Sequence, residues 1–284
     1  MKFGLMFSNV GPFGLPDMLT HLARTAEAVG LESLWTVEHV VVPTGYGSRY
    51  PYSADGKMPG PEESPIPDPL VWLSYAAAVT EQIRLATGIL ILPQRHPVYV
   101  AKAAATLDQL SRGRVTLGVG IGWLEEEFEV IGVPFEERAA RTEEAVEALR
   151  SLWSDGASRF DGKYYRWPDV ESNPKPVQRP GIPVVIGGHV PGAARRAARI
   201  GDGFFPARPE GLPELLEELR KECGRIGRDP GEIEITGGGL PTPDAVKQLE
   251  DLGVSRYVLP PPAFDEDGLR KGLEQYGDQL LSKF

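Results

Sequence analysis

Residues 83–122, IRLATGILILPQRHPVYVAKAAATLDQLSRGRVTLGVGIG, decide the fold. IRLATGILIL (83–92) is a near-continuous apolar run of strand length. HPVYVAKAAATLDQLS (96–111) has the 3.6-residue apolar spacing of a helix, and GRVTLGVGIG (113–122) is a second apolar run that ends in glycines. Strands that are apolar throughout are covered on both faces, so strand–helix–strand here reads as one unit of an α/β protein with a parallel sheet.

The same alternation continues on both sides. Upstream, KFGLMFS (2–8) and LESLWTV (31–37) read as strands and PDMLTHLARTAEAVG (16–30) as a helix. DPLVWLSYAAAVTE (68–81) reads as a helix with an Asp N-cap and proline at its first position. Downstream, helices are expected at 135–153, 191–201, 212–227, 242–253 and 265–284. Strands are expected at 182–188, 202–207, 232–239 and 254–260. Eight strands alternating with eight helices fit a (β/α)8 barrel, the TIM-barrel architecture, formed by one domain over 1–284. Two insertions interrupt the rhythm. Residues 43–68, rich in Pro, Gly, Tyr and Ser, follow the second strand. Residues 155–180, where SRFDGKYYRW suggests a hairpin, precede the fifth.

Composition narrows the function. With 41% hydrophobic and 25% charged residues, the 284-residue chain has the make-up of a globular protein. A formal net charge of −10 argues against a non-specific nucleic-acid binder. One cysteine excludes a disulfide framework and a multi-cysteine metal site, and suits a reducing cytoplasm. MKFGLMFSNVGPFG has too short an apolar run for a signal peptide, and no stretch is apolar for the ~20 residues of a membrane span.

In such a barrel the chemistry sits where strands end. Those positions here are rich in glycine and aliphatic residues and poor in charge. They lack paired carboxylates, a His/Asp/Glu metal set, a G-x-S-x-G elbow and a strand-end lysine. An apolar mouth with one histidine suits a flat cofactor that brings its own chemistry. His39 ends the second strand beside Glu38. A carboxylate neighbour would poise the imidazole for acid–base work, or His39 simply caps a loop. Gly187-Gly188, ahead of a helix, offers either a phosphate-binding turn or a tight turn needing positive φ. Gly118, Gly120 and Gly122 either let a ring lie against backbone or make room for barrel packing. Arg195 and Arg196 are expected on a solvated helix face, Cys223 as an inert residue, and Tyr46, Tyr50 and Tyr52 as lid or loop packing.

LESLWTVEH, then RLATGILILPQRHPVYVAKAAATLDQLSRGRVTLGVGIGW, then NPKPVQRPGIPVVIGG and AARIGDGFF resemble, in that order, the bacterial luciferase-like oxidoreductase family. Gly122-Trp123 followed by LEEEFEVIGVPFEERAARTEE is most similar to its branch dependent on the deazaflavin coenzyme F420. The resemblance implies a homodimeric barrel with the cofactor at its C-terminal mouth. It implies His39 and Glu38 as active-site residues that also contact cofactor. Thr87, Gly88 and Ile89 would lie at a non-prolyl cis peptide against the ring, with Ile121 and Gly122 as further contacts. Gly187, Gly188, Gly192 and Ala193 would hold the phosphate. Where F420-dependent sugar-phosphate dehydrogenases have a catalytic Glu, this chain has Trp123, so their activity does not transfer. Glu125 and Glu126 lie nearby without an evident role.

Three readings follow. The first is hydride transfer between F420 and a small organic substrate. The second is an FMN-dependent monooxygenase, and the third a non-catalytic flavin or deazaflavin binder. F420 adds an acidic tail to its phosphate, for which Arg95, Lys102, Arg195 and Arg196 are the basic candidates. The 43–68 insertion is expected to shape the substrate pocket.

Overall fold

The computed structural model describes residues 1–284. Eight parallel barrel strands follow one another in space: β1 (Lys2–Leu5), β2 (Ser33–Thr36), β3 (Arg84–Thr87) with its continuation β4 (Leu90–Ile91), β5 (Val115–Gly120), β8 (Val184–Gly187), β9 (Gly203–Phe205), β10 (Glu234–Gly238) and β11 (Arg256–Leu259). β11 pairs with β1, Phe3 opposite Tyr257, and β3 pairs with β5, Leu85 opposite Val115, so the sheet closes. The third barrel strand is split at Gly88–Ile89, whose peptide bond is cis, and resumes with Leu90 opposite Val119.

The helices wrap the outside: α1 (Pro16–Ala28), α2 (Pro69–Val79), α3 (Pro97–Leu110), α4 (Glu125–Ile131), α5 (Arg138–Trp153), α6 (Pro191–Ile200), α7 (Leu212–Ile226), α8 (Pro243–Asp251) and α9 (Glu266–Gln279). Local chemistry starts them. Asp68 accepts hydrogen bonds from the Leu70 and Val71 amides (2.9 and 3.0 Å) with Pro69 at the first position. His96 caps α3 through Nδ1, which accepts from the Val98 amide at 3.3 Å. None of the helices is long and apolar enough to cross a membrane.

Strand alternation divides the core in two. Leu34, Leu85, Leu117, Val184, Phe204 and Leu259 face the helices in the main core. Trp35, Ala86, Val185, Phe205 and Val258 form a smaller cluster inside the barrel, with Met6 against it. Trp35 meets Phe205 edge-on at 5.3 Å. Beneath them Arg256, 3% exposed, is held by Glu32 (2.9 Å) and Glu234 (2.7 Å), which satisfies a buried charge at the closed end.

Both insertions fall where the sequence puts them. Residues 43–68 run without helix or strand. The second insertion folds as a hairpin, β6 (Ser158–Asp161) against β7 (Arg166–Val170), with Phe160 opposite Trp167. Three details differ from the sequence reading. Barrel strands are shorter at both ends than their apolar runs, save that β1 starts at Lys2 as expected, because the end residues turn out into loops. The helix expected over 135–153 begins with a 3-10 turn at Phe135–Glu137. A ninth helix, α4, was not expected: its seven residues hold three glutamates in its first turn and too few apolar positions to show a period.

Candidate active site at the barrel mouth

The exit of β2 is pinned before it reaches the functional side chains. The buried Asn9 side chain brackets Val37, accepting from its amide and donating to its carbonyl, both at 2.9 Å. This carries Glu38 and His39 to the C-terminal mouth. Their side chains part there. Glu38, 6% exposed, accepts from the Ile91 amide (2.5 Å) and is forked by Arg95, whose Nε lies at 2.9 Å. Arg95 also reaches Asp68 (2.7 Å), so the Glu38 carboxylate is tied to the cap of α2. Burial pushes the Glu38 carboxyl above its ordinary range, against the pull of Arg95. The expectation that Glu38 poises the imidazole is therefore corrected: its oxygens are taken up by Ile91 and Arg95.

The imidazole has a different carboxylate. His39 Nδ1 lies 3.2 Å from Oε2 of Glu127 on α4, and Glu127 is fully buried. The other oxygen, Oε1, accepts from the amides of Val40 (2.6 Å) and Val41 (3.2 Å). His39 Nε2 has no protein partner and is not sealed from solvent, which makes it the free nitrogen at the mouth. Sequence reasoning missed Glu127. The only signal was its place one helical turn beyond Trp123, on a helix too short to read.

The floor of the mouth is Ile89. A methyl added at Gly187 would lie 2.5 Å from Ile89 Cγ2, and one at Gly120 would meet Ile89 Cδ1. A methyl at Gly118 would strike the Thr87 carbonyl. The strand-end glycines thus serve packing: they admit the Ile89 side chain and the Thr87 backbone, and a ring cannot lie directly on Gly118 or Gly120. Thr87 is buried and its hydroxyl donates to the Gly118 carbonyl at 2.6 Å. Gly88 packs against Trp35, Met6 and Phe205. Ile121 and Gly122 are half-buried, and Gly122 (φ 78°) passes against Phe128 and Ile91.

The Gly187-Gly188 turn is also redefined. The Gly188 amide donates to the Phe205 carbonyl at 3.3 Å, and Gly188 has φ 130°, a conformation open to glycine and strained for other residues. The open amide of the following helix turn is that of Gly192: Pro191 has none, and the Ala193 amide, expected from the sequence to meet the phosphate, donates to the Val190 carbonyl at 2.9 Å. Val190 supplies no capping side chain to α6, and a methyl at Gly192 would meet nothing within 4 Å. An uncapped helix N-terminus with bare backbone at its second residue is fitted to an anion. Ala193, also named from the sequence, is buried behind it. Beside this terminus His189 Nε2 donates to the Glu210 carbonyl (2.6 Å), leaving Nδ1 a buried acceptor without a partner. Burial holds the His189 pKa below its usual value.

The four basic candidates are already engaged. Arg95 holds Glu38 and Asp68, Lys102 the Asn173 carbonyl, and Arg195 pairs with Glu218. Arg196 is buried beside Glu143 (3.3 Å), which corrects its expected place on a solvated face. Arg208, exposed beyond β9, has no ion-pair partner and lies close enough to act electrostatically on Tyr52 and His189.

The 43–68 segment closes one side. Trp123 is met edge-on by Tyr46 (5.5 Å), Tyr50 (5.2 Å) and His39 (5.7 Å), and Tyr52 stands against Tyr50 (5.3 Å). Glu126 clamps the segment through the Gly47 (2.7 Å) and Ser48 (3.0 Å) amides. The Ser48 hydroxyl and these amides hold the Glu126 pKa down to about 2. No three His, Cys, Asp or Glu side chains are grouped to hold a metal ion, and Cys223 is buried in α7.

Comparison with known proteins gives the family and the fold. A model of the luciferase-like monooxygenase family matches residues 1–248. An uncharacterized protein of Mycobacterium tuberculosis is 34% identical over 275 residues, covering 92% of this chain and 94% of that protein. The F420-dependent glucose-6-phosphate dehydrogenase of Kineococcus radiotolerans is 35% identical over 230 residues, 78% of this chain and 62% of that enzyme. The coenzyme F420-dependent tetrahydromethanopterin reductase of Methanopyrus kandleri superposes with a TM-score of 0.76 at 19% identity, over 100% of this chain and 99% of that one, a likeness of fold.

Proposed function

Because the chain belongs to the luciferase-like monooxygenase family, we propose that it is an oxidoreductase that moves a hydride between coenzyme F420 and a small organic substrate. One observation carries this reading. The strand ends bring together the free Nε2 of His39, the Ile89 side chain packed against Gly120 and Gly187, and, just past Gly187-Gly188, an α6 terminus without a capping side chain. Such a site supplies binding, orientation and one proton carrier, and leaves the electron chemistry to a bound group. The F420-dependent relatives favour the deazaflavin.

When bound, F420 would supply a two-electron hydride acceptor or donor. The α6 terminus at Gly192 would take its phosphate, with Arg208 available to the acidic tail. Ile89 and Gly122 would set the height of the ring. His39 Nε2 would accept the proton that leaves the substrate as its hydride departs, or return it in the opposite direction. Trp123 with Tyr46 and Tyr50 would form an aromatic wall on the substrate side, suited to an apolar group. An FMN-dependent monooxygenase is the second reading, supported by the description of the family.

The test is titration of the apo protein with F420 and with FMN, separately, followed by turnover of His39→Ala. Tight F420 binding, weak FMN binding and about 100-fold or greater loss of turnover with little change in F420 affinity are expected. Preference for FMN with oxygen consumption would replace this reading by the second. Cofactor binding with no turnover of any substrate tried, unaltered by His39→Ala, would favour a binding protein.

A further inference from the structure

We propose that Glu127 is a positioning residue that fixes His39 in one tautomer, with its hydrogen on Nδ1 and Nε2 bare toward the barrel mouth. The role in turnover rests on the function proposed above; the tautomer does not.

The argument is one of donors and acceptors. Glu127 is fully buried, and a carboxylate that accepts backbone N–H groups has only acceptors to offer. Oε1 is committed to two of them, Val40 (2.6 Å) and Val41 (3.2 Å). Oε2 then faces Nδ1 at 3.2 Å, and a hydrogen bond there requires that Nδ1 carry the hydrogen. In the neutral ring the lone pair is therefore on Nε2, the nitrogen without a protein partner. Trp123, edge-on at 5.7 Å, limits rotation of the ring from the side. Had Glu127 served only to anchor the loop, Oε1 alone would suffice. The second oxygen aimed at the imidazole is what a positioning role adds, and the neighbouring Glu38 cannot substitute because Ile91 and Arg95 occupy it.

The same geometry makes Glu127→Gln a sharp probe. The Val40 and Val41 amides must still find an acceptor, so they orient the new amide with its oxygen toward them. Its NH2 is then turned to Nδ1, which must become the acceptor. The hydrogen moves to Nε2, and the base is lost with the ring still in place; a wrong tautomer of this kind is a known way to disable a well-placed histidine.

The experiment is long-range imidazole nitrogen–proton correlation on the 15N-labelled apo protein above the titration range of the ring. His39 is assigned by the signals missing in His39→Asn. The parent is expected to show His39 with Nδ1 protonated, and Glu127→Gln to show Nε2 protonated. Turnover should fall about 100-fold or more and cofactor affinity little. Nε2 protonated in the parent, or an unchanged tautomer in a folded Glu127→Gln, overturns the proposal. If that variant does not fold, the parent spectrum alone decides. If the predicted tautomers are found but the protein binds neither F420 nor FMN, the proposed function fails and the role of Glu127 stands.

Discussion

Replacing Gly192 with aspartate places a carboxylate at the second residue of α6, on the open amide proposed for the cofactor phosphate. A methyl there touches nothing within 4 Å, so the side chain enters open space. An acidic group in a first helical turn favours the helix by about 0.3–1 kcal/mol, and losing a helical glycine helps further. The folded state should be unharmed, with an unchanged or slightly raised Tm. A phosphate bound at this terminus would sit about 5 Å from the new charge. Two unit charges at that separation repel by about 1–3 kcal/mol across effective dielectric constants of 80 to 20, or about 5- to 160-fold in Kd. The assay is fluorescence titration of Gly192→Asp and the neutral Gly192→Ala with F420, FMN and phosphate-free riboflavin, at low and high salt. Loss should be confined to Gly192→Asp and to phosphate-bearing ligands, and should shrink with salt. Equal loss for riboflavin, or none for any ligand, would refute the assignment. Gly188→Asp cannot serve: at φ 130°, with Ala193 Cβ 2.9 Å from its own Cβ, it would strain the fold before any ligand was present.

Arg208→Ala should weaken F420 carrying a long acidic tail several-fold and leave FMN unchanged, by the same titration. The Glu126 clamp should depend on pH. Its pKa is about 2 in the folded protein against an ordinary 4.5, so its contribution is complete above about 4.5 and is lost as the pH falls toward 2. At pH 7, Glu126→Gln should make 43–68 the first segment cut in limited proteolysis, and cutting confined to 155–180 would count against a lid. We propose that the homodimer implied by the family resemblance buries the apolar outer face of α2 and α3, where Val71 and Tyr99 are 71% and 79% exposed. Val71→Lys with Tyr99→Lys should then sediment as a monomer, whereas an unchanged dimer places the interface elsewhere.

The barrel was legible because its strands are buried on both faces and its helices on one, so period alone separates them; Asp68-Pro69 even announced the start of α2. His39 was legible from its place at a strand end. Other parts of the site depended on directions that sequence spacing does not carry. Glu38 and His39 are neighbours in the chain but point to different partners, and the carboxylate that meets the imidazole comes from 88 residues away. The glycines of β5 could be read as a surface for a ring or as packing space, and only the positions of the Thr87 carbonyl and the Ile89 side chain separate the two. Gly188 looked like an anion site because of its type, whereas its amide is consumed by Phe205.

Consecutive residues on a helix point about 100° apart. On α4 that angle separates two duties: Glu126 grips the 43–68 segment and Glu127 grips the imidazole. Seven residues thus tie both the 43–68 segment and the His39 imidazole to one short helix. The 43–68 segment and the imidazole therefore share one support, and a change that unseats α4 would be felt at both.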